Sequence, residues 1–190
     1  MYLIRTISTK SINFLTKANQ AGDVSAVFLI EMNTTNGDYS FFCVNDINNK
    51  QSSEIMNVII YRLARTNDER WTTNVSAIFC SEKEVDDIKE LSKPETFPIG
   101  IVHKNFEEAS ISEAIKIIDV LFSSKETIKT YTIAEIATFI RTMTLESWEK
   151  IFEGFDKNKA KMNCQKIVNT YFNNNPKKIP QQLSLYMQSM

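Results

Sequence analysis

The clearest pattern of hydrophobic positions lies between residues 24 and 46, where two apolar runs flank a polar turn. Val24 to Ile30 and Tyr39 to Val44 are rich in β-branched and aromatic residues, and Asn36 and Gly37 stand between them. Asn-Gly is the strongest short signal for a β-hairpin, because both residues tolerate the positive φ angles that a tight turn requires. The sequence therefore predicts a β-hairpin in the N-terminal part of the chain.

Helical and extended patterns alternate on either side of this hairpin. Helices are predicted at residues 9–21, 52–66, 81–91 and 106–122, and short apolar strands at residues 74–80 and 99–102. Such an arrangement is typical of the α+β class, with α/β as the alternative. We therefore expect a small mixed sheet flanked by helices over residues 1–125.

The following part of the chain is predicted to be helical. Three helices are expected, at residues 132–142, 145–155 and 158–172. Pro176 follows the last of them, in keeping with a helix that has ended. We expect a helical subdomain over residues 126–172, packed on the first domain. A C-terminal tail over residues 173–190 then either docks on its own domain or orders on a partner.

The sequence of the first two of these three helices resembles that of a helix–turn–helix motif. Thr132 and Glu135 have the spacing of a capping box at the start of the first helix. A helix that reads DNA presents Arg, Lys, Asn or Gln, whereas the second helix carries three glutamates and only one lysine, Lys150. Ordinary helix packing is therefore favoured over DNA recognition by this pair.

Composition restricts the chemistry that the chain can perform. The 190 residues include one histidine, three isolated cysteines and four glycines. His103 has no second histidine or close cysteine as a metal partner, and no glycine pair forms a phosphate-binding loop. Cys80 closes one predicted strand and His103 follows another, so a nucleophilic pair would require the two to meet across a sheet end. We expect no catalytic residues, no metal site and no cofactor.

Charge and hydropathy bear on location and partners. The formal net charge is -1, so nucleic-acid binding would need a local basic patch. The isolated cysteines favour a reducing compartment, and no run approaches the ~18 apolar residues of a membrane span. We therefore expect a soluble cytoplasmic protein that does not enter the membrane. The abundance of Lys, Ile and Asn is typical of AT-rich genes and favours a viral, phage or low-GC bacterial source.

Two features are candidates for an interaction surface. Arg62 and Arg65 are one helical turn apart and are followed by Arg70 and Trp71. Arginine and tryptophan are typical of protein-binding hot spots, and the alternative is a solvated helix face paired with neighbouring acids. Trp148 belongs to an unusually heavy apolar stripe, and part of this stripe is a candidate for contact with a partner.

These observations favour a non-enzymatic, intracellular protein that acts through protein–protein interaction or regulation, with another protein or a second copy of itself as the partner. The alternative is a nucleic-acid-binding, transcription-linked protein that uses residues 132–155 or the patch around Arg62. A second alternative is a metal-dependent hydrolase with Glu31, Asp86 and Asp87 as carboxylate donors.

Overall fold

The computed structural model describes residues 1–8, 17, 39–48, 52–65, 74–122 and 128–190. Within these residues the strands are β1 (Tyr2–Ser8), β2 (Tyr39–Val44), β3 (Val75–Ser81), β4 (Glu95–Phe97), β5 (Ile101–Phe106) and β6 (Ile128–Tyr131). They form one sheet in the order β4-β5-β2-β1-β3-β6, and each neighbouring pair is antiparallel. The α+β class is confirmed. The expectation of a mixed sheet is wrong for these six strands, because none of them pairs in parallel.

The same residues contain seven α-helices and one short 3-10 turn. The helices are α1 (Ser53–Arg65), α2 (Glu82–Asp86), α3 (Ile111–Phe122), α4 (Ile133–Ile140), α5 (Leu145–Ile151), α6 (Lys157–Phe172) and α7 (Gln181–Ser189), and the turn is Pro98–Gly100. The helical patterns predicted around α1, α4 and α6 are confirmed. The predicted helix over residues 81–91 is shorter than expected, since α2 ends at Asp86.

Both faces of the sheet are buried, and β1 in its middle shows how. Leu3 belongs to the core beneath α2 and α3, whereas the next residue, Ile4, belongs to the core shared with α1 and α4 to α7. Successive side chains of a strand point to opposite faces, so one apolar run serves two cores. The larger core, on the Ile4 side, includes the fully buried Trp148.

Several predicted features at the N-terminal end lie outside the described residues. Of the helix predicted at residues 9–21, only Lys17 is described, and it is helical. The first arm of the predicted hairpin, Val24 to Ile30, is also outside these residues. Its second arm is β2, whose described neighbours in the sheet are β1 and β5.

The start of the C-terminal part differs from the expectation that it is entirely helical. Residues 128–131 form β6, which pairs with β3 at the edge of the sheet. Thr132 then caps α4: its hydroxyl accepts a hydrogen bond from the Glu135 main-chain N–H, and the Glu135 carboxylate accepts one from the Thr132 N–H, as the capping box predicts.

The residues after α6 return to the body of the chain. α6 ends at Phe172, and the next residue, Asn173, adopts the left-handed conformation that commonly terminates helices. α7 then buries Leu183 and Tyr186, and the Tyr186 ring stacks on Phe152 with 5.5 Å between centroids. Of the two alternatives for residues 173–190, the structure shows docking on the chain's own core.

Candidate functional site

Two of the candidate interaction residues lie at the end of α1. This helix buries a broad apolar face against the sheet and the C-terminal helices, because its apolar residues recur at helical spacing. Arg62 is exposed and Arg65 is half-buried, one turn further along the helix. Arg70 and Trp71 lie outside the described residues, as do the acids predicted to pair with the arginines.

Both arginines line a surface pocket of about 270 Å³. The wall of this pocket comes from β2, α1, β4 and β5, so the sheet and one helix build it together. Its lining residues are Ser40, Phe42, Tyr61, Arg62, Arg65, Phe97 and His103. We refer to this cavity as the Arg62 pocket.

Four rings of the Arg62 pocket contact one another in a closed circuit. Phe42 lies 6.1 Å from Tyr61, Tyr61 lies 5.8 Å from Phe97, Phe97 lies 5.1 Å from His103, and His103 lies 5.4 Å from Phe42, measured between centroids. All four contacts are tilted or edge-to-face, with angles between the ring planes of 59° to 81°. Aromatic pairs prefer edge-to-face and offset arrangements of this kind. The pocket therefore has aromatic walls with guanidinium groups beside them.

His103 contributes a ring to the pocket, and its environment disfavours a positive charge. Burial lowers the pKa of His103, the Glu95 carboxylate on the neighbouring strand opposes this effect, and the Arg62 guanidinium reinforces it. The imidazole is therefore neutral at pH 7. The positive charge of the pocket lining comes from Arg62 and Arg65.

Arg65 also has a structural role. One of its guanidinium nitrogens donates a hydrogen bond of 2.9 Å to the main-chain carbonyl of Ile151, the last residue of α5. Its guanidinium carbon lies 5.1 Å from the centroid of the Tyr61 ring and 4.4 Å from that of Phe155. These contacts hold the end of α1 against the turn between α5 and α6.

A basic surface begins on the other side of Phe155. The ammonium group of Lys159, in the first turn of α6, lies 5.0 Å from the centroid of the same ring. We call this region the α6 basic surface and define it by Lys157, Lys159, Lys161, Lys166, Lys177 and Lys178. Five of these side chains are exposed and Lys166 is half-buried. None of the six forms an ion pair with a carboxylate in the described ranges.

The α6 basic surface results from a strong segregation of charge along the chain. Residues 157–190 contain six lysines and no acidic residue, so their formal charge is +6. Residues 1–156 contain all 23 acidic residues and 16 basic ones, which gives -7. Sequence reasoning missed this feature because the two parts nearly cancel in the net charge of -1. A charge count in separate windows would have found it.

The remaining candidate residues do not join this region. Trp148 is completely buried, with a relative solvent exposure of 0%, and its ring stacks on Phe152. Its apolar stripe is covered within the chain, since α6 and α7 pack in the same core. Trp148 therefore supports the fold beneath the surface in this structure.

The structure does not bring Cys80 and His103 together, as a nucleophilic pair would require. Cys80 pairs with Leu3 and lies in the core beneath α2 and α3, whereas His103 pairs with Phe42 on the α1 side of the sheet. Strands β1 and β2 separate the two, which corresponds to roughly 14 Å between strand axes. Burial also raises the pKa of the Cys80 thiol to about 12, which disfavours the reactive thiolate.

Two of the proposed carboxylate donors, Asp86 and Asp87, contact other groups of the chain. Asp87 pairs with Lys83 at 2.5 Å, and the Asp86 carboxylate accepts a hydrogen bond from the Leu91 main-chain N–H. Glu31 lies outside the described residues. Within the part of the chain that the structure describes, no three His, Cys, Asp or Glu residues form a group able to hold a metal ion.

Comparison with known proteins adds no family to these observations. No protein-family model matches the chain, and no curated protein or solved structure is significantly similar to it. None of the described helices is long and apolar enough to cross a membrane. The Arg62 pocket and the α6 basic surface are therefore the candidate functional sites of the described residues.

Proposed function

We propose that this protein binds nucleic acid, without catalysing a reaction on it, through the α6 basic surface. The observation that carries the proposal is the charge of +6 over residues 157–190 against -7 over the preceding part. Phosphate contacts from lysine dominate the affinity of most nucleic-acid-binding proteins. A concentrated basic face can bind a polyanion even though the whole chain is slightly acidic.

The neutral side chains on α6 support the same proposal. Asn158 and Asn169 are exposed beside the lysines, and Gln165 is half-buried and donates its amide to Asn169. Amide side chains hydrogen-bond to bases, sugars and phosphates. α6 thus carries the amide side chains that α5 lacks, and we place the nucleic-acid surface on α6 rather than on residues 132–155, which the sequence offered together with the patch around Arg62 for the alternative function.

Salt dependence provides the test. The Kd for a fluorescent oligonucleotide is measured by anisotropy between about 0.05 M and about 0.2 M salt, and log affinity is plotted against log salt. Each phosphate contact contributes about 0.7 to 0.9 to the slope. The variant K157Q/K159Q/K161Q should therefore bind more weakly and lose about 2 to 3 from the magnitude of the slope.

A matched control removes the same charge elsewhere. Lys83 on α2, Lys116 on α3 and Lys93 between α2 and β4 are exposed, and α2 and α3 pack on the opposite side of the sheet from α6. K83Q/K93Q/K116Q should retain the affinity and slope of the unmodified protein. Equal losses in the two triple variants would show a non-specific charge effect and would refute the assignment to α6.

Binding to an acidic protein surface, including that of a second copy, is a second candidate function. The charge of -7 over residues 1–156 complements the α6 basic surface. Met162 on α6 and Leu185 on α7 are 56% and 41% exposed, and they offer apolar contact area beside the lysines. Sedimentation velocity tests self-association: a dimer at low salt that the α6 triple variant abolishes would support this candidate.

A further inference from the structure

The Arg62 pocket lies next to the start of the α6 basic surface. Phe155 joins them, because Arg65 and Lys159 approach the same ring at 4.4 Å and 5.0 Å. A polyanion that follows the lysines of α6 towards Phe155 therefore reaches a cavity whose walls are aromatic. Aromatic side chains beside a basic track are the features by which proteins hold single-stranded nucleic acid.

The size of the pocket restricts what it can accept. Its volume of about 270 Å³ lies just below the ~300–1,000 Å³ of typical small-molecule sites. One planar ring system fits such a space, whereas a stacked pair of bases does not. Phe97 and His103 are half-buried, so their rings are partly accessible to a group that enters.

The positive charge of the pocket lining favours a ligand in which a planar ring is joined to a phosphate group. His103 is neutral at pH 7, so the two guanidinium groups supply the charge of the lining. Arg62 is the exposed one, at the mouth of the pocket. A guanidinium group binds phosphate oxygens with two parallel hydrogen bonds. A quaternary ammonium ligand, which aromatic sites also accept, is disfavoured beside two arginines.

We propose that the Arg62 pocket receives one unstacked base of a single-stranded nucleic acid, while Arg62 contacts an adjoining phosphate. This inference rests on the proposed function and adds the strand class that the protein prefers. In a duplex the bases are stacked and paired, so a base reaches such a pocket only at the cost of unstacking. The protein should therefore bind a single strand more tightly than a duplex of the same length.

An abasic strand tests the pocket separately from the lysines. The probes are a labelled oligothymidylate of about 12 nucleotides and an abasic strand with the same number of phosphates. The unmodified protein should bind the oligothymidylate roughly tenfold more tightly, since stacking of one base is lost in the abasic strand. Phe97→Leu should move this ratio towards one by weakening the binding of the base-bearing strand.

A second variant and a control accompany Phe97→Leu. Arg62→Gln changes an exposed side chain, so folding should be retained, and it should lower the magnitude of the salt slope by about 0.7. K83Q/K93Q/K116Q should keep both affinities and their ratio. Circular dichroism confirms that each variant is folded, and Arg62→Gln keeps the test decisive if Phe97→Leu does not fold.

The possible results separate the inference from the proposed function. Equal affinity of the unmodified protein for the two strands would overturn the base-binding inference and leave lysine-mediated binding intact. Failure of both strands to bind at low salt would overturn the proposed function and the inference together. If polyglutamate of matched charge displaces the oligothymidylate as effectively as unlabelled oligothymidylate does, the protein does not distinguish nucleic acid from acidic protein, and both the proposed function and the inference are wrong.

Discussion

The guanidinium carbon of Arg65 lies 4.4 Å from the centroid of the Phe155 ring. Arg65 is the last residue of α1, and Phe155 lies in the turn between α5 and α6. The contact therefore joins the helix that lines the Arg62 pocket to the helix that carries the lysines. Lys159 approaches the same ring, so Phe155 is the point at which the two parts of the proposed surface meet.

Arg65→Ala should lower the free energy of unfolding by about 2 kcal/mol, because it removes the hydrogen bond to the Ile151 carbonyl and two ring contacts. Urea unfolding followed by circular dichroism measures the change. Arg62→Ala is the control: this side chain is exposed, and its surface contacts should contribute less than about 1 kcal/mol. Equal effects of the two substitutions would contradict the structural role of Arg65.

Stability should depend on pH through His103. Its pKa is lowered below the ordinary value of 6.5, chiefly by burial, so the unfolded chain takes up a proton at a higher pH than the folded chain does. The contribution of His103 to the free energy of unfolding is therefore fully present above pH 6.5, and it is lost as the pH falls below that value. His103→Phe should retain a ring and flatten this dependence between about pH 7 and about pH 5.

The carboxylates with shifted pKa values affect stability at lower pH than His103 does. Hydrogen bonds from Ser110 lower the pKa of Glu113, and the hydrogen bond from Lys150 lowers that of Glu146, both from 4.5. Their contributions are lost as the pH falls below 4.5, so the interval above pH 5 reports on His103. An unchanged slope in His103→Phe over that interval would assign the dependence to other groups.

The three thiols should be unreactive in the folded protein. Cys43, Cys80 and Cys164 are buried, and burial raises their pKa values to about 11, 12 and 12. Because the thiolate is the reactive form, a thiol reagent at pH 8 should modify them slowly in buffer and completely in denaturant. Rapid modification of one thiol in buffer would show that its part of the core opens readily.

The sequence predicted the helices with a one-sided hydrophobic pattern and the apolar strand β3, but it did not predict β1, β4 or β6. α1 and α6 each bury one face, so the helical period is visible in their residues. β1 has core residues on both faces and is interrupted by Arg5, so it shows no alternation. β4 and β6 are edge strands of three and four residues, too short for a pattern.

The candidate site was predictable only where its residues are close in sequence. The spacing of Arg62 and Arg65 indicated a shared helix face, and both line the pocket. The rings beside them come from different elements, with Phe42 on β2 and Phe97 on β4, and no spacing in the sequence relates them. The apolar stripe of Trp148 is covered because α7 packs in the same core, whereas the sequence left open whether residues 173–190 dock on their own domain.

Asn163 should be essential for the junction between α1 and α6. Its side-chain amide donates a buried hydrogen bond of 2.7 Å to the Ala64 carbonyl, in the last turn of α1, where main-chain carbonyls have no partner within the helix. Asn163→Ala should lower the free energy of unfolding in urea by about 1–3 kcal/mol, because that carbonyl is left buried without a donor. Asn169→Ala, on the exposed face of the same helix, should change it by less than about 0.5 kcal/mol. If the two variants unfold at the same urea concentration, the amide does not hold α6 against α1, and the alignment of the lysines with the Arg62 pocket depends on the apolar core between the two helices and on the contacts of Arg65.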